Sequence, residues 1–199
     1  MARYGAKYIR WAPFAEQNPE PAGAFPSYGT AIGLAEMQKV SDNPNFVEGT
    51  QYGDDGLQEY MNEFRDADVD IEVTDLPVDV EKPVLGVTHT AKTGSIVCVN
   101  AADNPPYGGV GFVSCIIRKN VRKYQAIIYP KAKATMQGEE YVTKGESLTL
   151  SGGKLKFKVA ACETGDWKLK STYQATEAAA KALVDDFFDG KITLDTATE

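Results

Sequence analysis

The residues of this chain that could do chemistry are few and scattered. His89 is the single histidine, which excludes a two-histidine metal site within one chain and the HExxH arrangement. It lies in Val87-Thr-His-Thr-Ala91 with no cysteine or carboxylate at ligand spacing, which leaves a general base at most, or a structural or exposed histidine. Cys98, Cys115 and Cys162 form no CxxC pair, and their odd number and wide spacing suit reduced thiols better than a disulfide framework. Cys115, inside Val113-Ser-Cys-Ile-Ile117, reads as core rather than nucleophile. Asp66-x-Asp-x-Asp70 opens like a calcium loop, but Ile71 and Pro77 stand where Gly and Glu are required. Gly152-Gly153-Lys154 runs into Leu155, so it is no phosphate loop, and Gly108-Gly109-Val-Gly111 lacks a strand-turn-helix setting. No catalytic residue, cofactor or metal is expected, and the chain reads as a non-enzyme.

What stands out instead is charge. The 199 residues carry a net charge of −7. From Ser41 to Glu81 there are thirteen acids and one base, Arg65; from Cys115 to Lys133 there are six bases and no acid. Such polarity gives complementary faces for copies of the chain or a charged partner. An acidic chain with only local basic clusters is a poor nucleic-acid binder. Asp66, Asp68, Asp70 and Glu72 alternate with Ala67, Val69, Ile71 and Val73, so on a strand all four carboxylates share one face. Lys154, Lys156 and Lys158 form a second stripe of opposite sign. Across one sheet the two would pair; the alternative is an acidic surface that stays clear of polyanions.

The elements that must position these stripes are mostly strands. Tyr4 to Ala12 predicts an opening strand, with Tyr8 and Arg10 on one face and Lys7, Ile9 and Trp11 on the other. Residues 13–30 read as a Pro-rich arm, Ala31 to Val40 as a strand, and 41–65 as a long loop with a turn at Tyr52-Gly53-Asp54-Asp55-Gly56. A short helix is expected at 76–80, with Asp75 as N-cap, ended or kinked by Pro83 and closed by Gly86. Gly111 to Lys119 and Val121 to Pro130 predict a hairpin about Arg118-Lys119-Asn120. Further strands are expected at Tyr141-Val142, Ser147 to Leu150, Lys154 to Ala161 and Asp166 to Tyr173. Residues 175–190 hold the one convincing helix, Glu177 to Asp189, capped by Thr176 and Gly190, and 191–199 form a tail. The sum is a single mainly β domain, a β-sandwich or barrel flanked by one α-helix, with an extended loop and terminal arms. No apolar stretch is long enough to span a bilayer, and no secretory signal is expected.

The order of segments resembles the major tail protein, the tail-tube protein, of long-tailed non-contractile bacteriophages. The matching parts are Tyr4-Gly-Ala-Lys-Tyr-Ile-Arg10, Gly53-Asp-Asp-Gly56, Ala67-Asp-Val-Asp-Ile-Glu-Val-Thr-Asp-Leu-Pro77 and Leu85-Gly86. They continue with Tyr107-Gly-Gly-Val-Gly-Phe-Val-Ser114, Lys123-Tyr-Gln-Ala-Ile-Ile-Tyr-Pro-Lys131, Glu140-Tyr-Val-Thr-Lys-Gly-Glu-Ser147 and a helix ending in Phe187-Phe188-Asp189-Gly190. Pro83 departs from the family, which continues a short helix there.

The resemblance implies a structural virion protein of the tail, made in the host cytoplasm and stacked head-to-tail as hexameric rings. Its implied partners are further copies of itself, a tape measure protein, and tail tip and terminator proteins. DNA would cross the lumen without specific binding. DNA carries one negative charge per ~1.7 Å, so an acidic lining would not hold it. Asp66, Asp68, Asp70 and Glu72 are the candidate lumen-facing residues. Phe46, Tyr52, Asp54, Asp55, Arg118, Lys119, Arg122 and Lys123 are the candidates for ring-to-ring contact, with the acidic and basic segments expected at opposite ends. The rival from another class is a monomeric β-sandwich recognition or adhesion module using Tyr52 and Tyr107 as anchors.

Overall fold

A computed structural model describes residues 2–16, 20–54, 56–90, 96–135, 137–138 and 152–192. The expected strands at Tyr141-Val142 and Ser147 to Leu150, the tail beyond Ile192, and Asp55 lie outside these residues. The described residues are mainly β with two helices, and most of their strands form one open antiparallel sheet. In chain order the strands of that sheet are β1 (Ala2–Pro13), β2 (Ile32–Gly33), β3 (Met37–Gly53) and β4 (Gly56–Val73), followed after helix α1 (Val78–Leu85) by the later ones. A separate small ladder joins β5 (His89–Thr90) to β6 (Val97–Cys98). β7 (Tyr107–Arg118), β8 (Val121–Thr135), β9 (Gly153–Val159) and β10 (Leu169–Lys170) complete the sheet before helix α2 (Glu177–Phe188). The sheet order is β2-β1-β7-β8-β9-β4-β3, with β10 continuing the β8 edge beyond β9.

Two apolar layers hold this sheet. One core draws Ile9 and Trp11 from β1, Val69 and Ile71 from β4, Phe112 from β7, Tyr129 from β8 and Phe157 from β9. Residues from both halves of one sheet meet in that cluster, so the sheet curls on itself, and α1 adds Val84 and Leu85 to it. The second layer lies on the outer face of β1, β7 and β8, where α2 lays down Ala180, Val184, Phe187 and Phe188. α2 forms as the sequence predicts: Thr176 Oγ1 accepts from the Ala179 N–H, and Gly190 follows at φ 70°. It sits close because β7 has no side chain beneath it; a Cβ on Gly111 would stand 2.8 Å from Val184.

Several local expectations change. Residues 41–65 are a strand pair rather than a loop: β3 and β4 run in register from Met37↔Val73 to Gly53↔Gly56. Polar residues there conceal the pairing, because most side chains beyond Asn45 are exposed on both faces and no burial pattern marks a strand. The turn at 53–56 is where the glycines placed it, with Asp54 at φ 46°. The Ala31 to Val40 strand is broken into β2 and the start of β3. Lys7 joins Tyr8 on the α2 side, not Ile9 and Trp11: irregularities around Gly5 (φ 68°) and Tyr8 (φ 58°) shift the register of β1. Lys7 then pairs with Glu177, and the Tyr8 hydroxyl donates to Asp185. The 13–30 arm folds back on the body, with Tyr28 donating to the Pro130 carbonyl and packing on Phe187 and Phe188. In α1 the N-cap is Pro77, not Asp75, and Pro83 sits inside the helix, which runs on to Leu85 before Gly86 (φ 68°) closes it. The Asp166 to Tyr173 strand shrinks to Leu169–Lys170.

Candidate functional site

The four carboxylates of β4 stand on one face. Asp66, Asp68, Asp70 and Glu72 are half-buried, while Ala67, Val69, Ile71 and Val73 between them are at most 1% exposed. The neighbouring strand β9 brings its lysines directly opposite: Lys158 beside Asp68, Lys156 beside Asp70, Lys154 beside Glu72. Lys158 Nζ reaches Asp66 at 2.8 Å and Asp68 at 3.3 Å, Lys156 reaches Asp68 at 3.4 Å, and Lys39 of β3 reaches Glu72 at 3.5 Å. Lys158, Asn45 and Arg65 hold the Asp66 carboxyl far below the usual carboxylate range. Burial pushes Asp68 up, but its bonds to Asn45 and Lys158 outweigh that and its carboxyl also lies low. Of the two readings open from sequence, the sheet takes the first: acids and lysines form one interlocked lattice. Asp70 alone of the four makes no ion pair within the described residues. Such a face is no longer an acidic stripe, and the repulsion argument for DNA loses most of its charge.

Beyond the Asn45↔Asp66 pair the β3–β4 hairpin leaves the sheet. β9 ends at Val159, opposite Ala67, so no strand among the described residues flanks the ribbon from there to its tip. At ~3.4 Å per residue, the nine residues from Asn45 to Gly53 carry it about 30 Å. A skipped residue at Arg65 re-phases the pairing so that Phe46 faces Phe64, which stacks on Trp167 at 4.6 Å beside the core. Thr50 opposite Tyr60 and Tyr52 opposite Leu57 continue that face outward, so the core side of the sheet extends past its own cover. Tyr52 is 72% exposed, and Phe46, Leu57 and Tyr60 are about half exposed. Glu48 shares that face and bonds to the Tyr60 hydroxyl, Glu59 and Glu63 stand on the other face, and with Asp54 at the turn none of these acids makes an ion pair to a described residue.

The basic counterpart is the β7–β8 turn. Lys119 and Asn120 both have positive φ (50° and 59°), the two-residue hairpin geometry expected at Arg118-Lys119-Asn120. Arg118, Lys119, Arg122 and Lys123 likewise form no ion pair among the described residues. The structure brings these acids and bases to the same end rather than to opposite ends. Ala67, Val159 and Ala132 share a row, and β4 and β8 both leave that row in the same sense toward their turns.

An open cleft of about 280 Å³ lies where β1 and β3 face each other, lined by Arg3, Tyr4, Lys39, Phe112 and Tyr129 among others. Its one buried polar cluster is structural: Asp42 accepts from the Tyr129 hydroxyl at 3.1 Å and pairs with Lys168, whose side chain is 10% exposed. Burial pushes the Asp42 carboxyl up, and the bonds from Lys168 and Tyr129 more than reverse it. Tyr107 is not a free anchor either; it stacks on Phe14 with Lys133 above its ring.

His89 and Cys98 are exposed on the small β5–β6 ladder, whereas Cys115 and Cys162 are buried. No group of three or more metal-ligating side chains occurs among the described residues. None of their helices is long and apolar enough to cross a membrane. No protein-family model and no curated protein matches the chain.

Proposed function

We propose that this chain is a structural, self-assembling protein of the tail-tube kind, whose copies join side by side into rings that stack into a hollow tube. The observation that carries the reading is the β3–β4 ribbon. A lone two-stranded ribbon is at best marginally stable in water, yet this one carries Phe46, Tyr52, Leu57 and Tyr60 on a single face with no cover from the described residues of its own chain. A second copy is the natural cover. Among the described residues both edges of the sheet are also without a further strand, β3 along its whole length and β1 where β2 does not reach. The ordered resemblance along the chain supports the same reading.

In a ring the copies are related by rotation about one axis, so features at equal height meet sideways. The acidic ribbon and the basic β7–β8 turn point toward the same end, so they suit a contact between neighbours within one ring better than a contact between rings. The charged lattice of β3, β4, β9 and the end of β8 is the sheet face that neither α2 nor the core covers, and it is the face offered to the lumen. Its mixed lysines and carboxylates would let DNA pass by cancelling attraction rather than by repelling it. Negative-stain electron microscopy of concentrated protein, with and without a tail-tip initiator, tests the reading. Rings or hollow cylinders are expected. A concentration-independent monomer under every condition would reject it and leave the recognition module.

A further inference from the structure

We propose that His89 and Cys98 together form a two-ligand site for a soft monovalent cation of the copper(I) or silver(I) class. Eight residues separate them in sequence, and no ligand spacing connects them. The β5–β6 ladder does, because its register sets His89 directly opposite Cys98. Side chains at directly opposed positions share a face, with Cβ atoms ~4.5–5.5 Å apart. Metal–sulfur and metal–imidazole bonds of ~2.3 Å and ~2.0 Å span roughly 4.3 Å in a linear arrangement, a gap that rotation about the side-chain bonds can close. Both residues are exposed, so a cation can reach them from solvent.

The ladder is well anchored for this. Gly86, just before β5, lies so near the chain after β6 that a Cβ there would stand 2.4 Å from the Asn104 carbonyl oxygen. The turn after Cys98 is tied by the Asn100 N–H donating to Asp103 at 2.7 Å. The two strands are therefore held together at their base, and the ligands need not be gathered from a loose loop.

The ligand set selects the cation class. A thiolate and an imidazole suit soft metals, and thiolate in particular favours copper(I). Zinc takes four ligands in structural sites, and the described residues offer no group of three. The other thiols do not compete: Cys115 is buried, and burial, aided by Glu20, pushes Cys162 up to about 12. Binding replaces the Cys98 S–H bond by a sulfur–metal bond, releases that proton to solvent and leaves the metal's oxidation state unchanged, while His89 binds through a neutral ring nitrogen.

The test uses the full chain, reduced and stripped of metal, titrated anaerobically with silver(I) and, separately, with copper(I) against a chromophoric chelator. One cation per chain is expected, with a displaced ring-nitrogen resonance for His89. Cys98→Ser should abolish binding and His89→Ala should weaken it at least tenfold. Both positions are exposed, so the variants should keep the wild-type circular dichroism spectrum. Unchanged binding in His89→Ala, an unmoved ring resonance, or one retained cation in Cys98→Ser would each overturn the site.

Discussion

Asp42 illustrates how one side chain can fasten the two halves of the curled sheet. It stands on β3, accepts from Tyr129 of β8 and pairs with Lys168 from the segment before β10. Removing the carboxylate leaves a lysine that is only 10% exposed without its partner. Asp42→Asn should cost about 2 kcal/mol, in the range for stranding a largely buried charge. The carboxyl titrates below its ordinary 3.8 in the folded state, so its stabilisation is complete above that value and fades as pH falls through the lower, folded one. Urea unfolding of wild type and Asp42→Asn from pH 7 to pH 2 should therefore converge in acid; curves that stay parallel would show that the pair contributes nothing. Gly108 is a harder constraint, because a Cβ there would lie 2.4 Å from the backbone oxygen of Ala12. No rotamer relieves a clash with backbone. Gly108→Ala should lose about 2 kcal/mol or more, whereas a wild-type melting temperature would mean that β1 and β7 can part without cost.

At the level of elements, the legible parts of this sequence are those whose pattern is written by burial or by turn chemistry. The 66–73 alternation, the apolar stripe of α2 and the Lys119-Asn120 turn all form as read, since each is decided by residues within a few positions. The outer β3–β4 ribbon was illegible because its strands bury almost nothing and β3 includes Pro44. That proline is tolerated because β3 is the edge strand of the sheet among the described residues, paired there on one side only. The His89–Cys98 pairing was hidden for another reason: ladder register, not spacing, sets it. The ribbon's exposed face yields a prediction that separates folding from assembly. Replacing Tyr52, Leu57 and Tyr60 together by serine removes only cross-strand contacts at the outer end of the ribbon and none in either core, so the melting temperature should shift little, by ~1 kcal/mol or less. Analytical ultracentrifugation should nevertheless find only monomer at concentrations where wild type associates. Association equal to wild type would place the interface elsewhere.

For the molecule as a whole, the decisive feature is that opposite charges are segregated on one chain and form no ion pair among its described residues. Glu48, Glu59 and Glu63 lie along the ribbon, and Arg118, Arg122 and Lys123 lie around the β7–β8 turn. Within a subunit these groups do not neutralise one another; between subunits the two sets can, and an exposed contact of this kind acts on encounter rate and register and weakens with salt. Charge reversal of the three acids to lysine should prevent association, because ribbon and turn would then repel. Reversal of the three bases to glutamate should do the same. Mixing the two variants tests the pairing: the acidic ribbon of one can meet the basic turn of the other, and the reciprocal contact joins two reversed surfaces of opposite sign and can form as well. Alternating rings should therefore form in the mixture although neither variant assembles alone, and one chain carrying both reversals should assemble as wild type does. Light scattering of the doubly reversed chain is the cleanest readout. If it stays monomeric at low salt while its circular dichroism matches wild type, the ribbon and the turn are not partners.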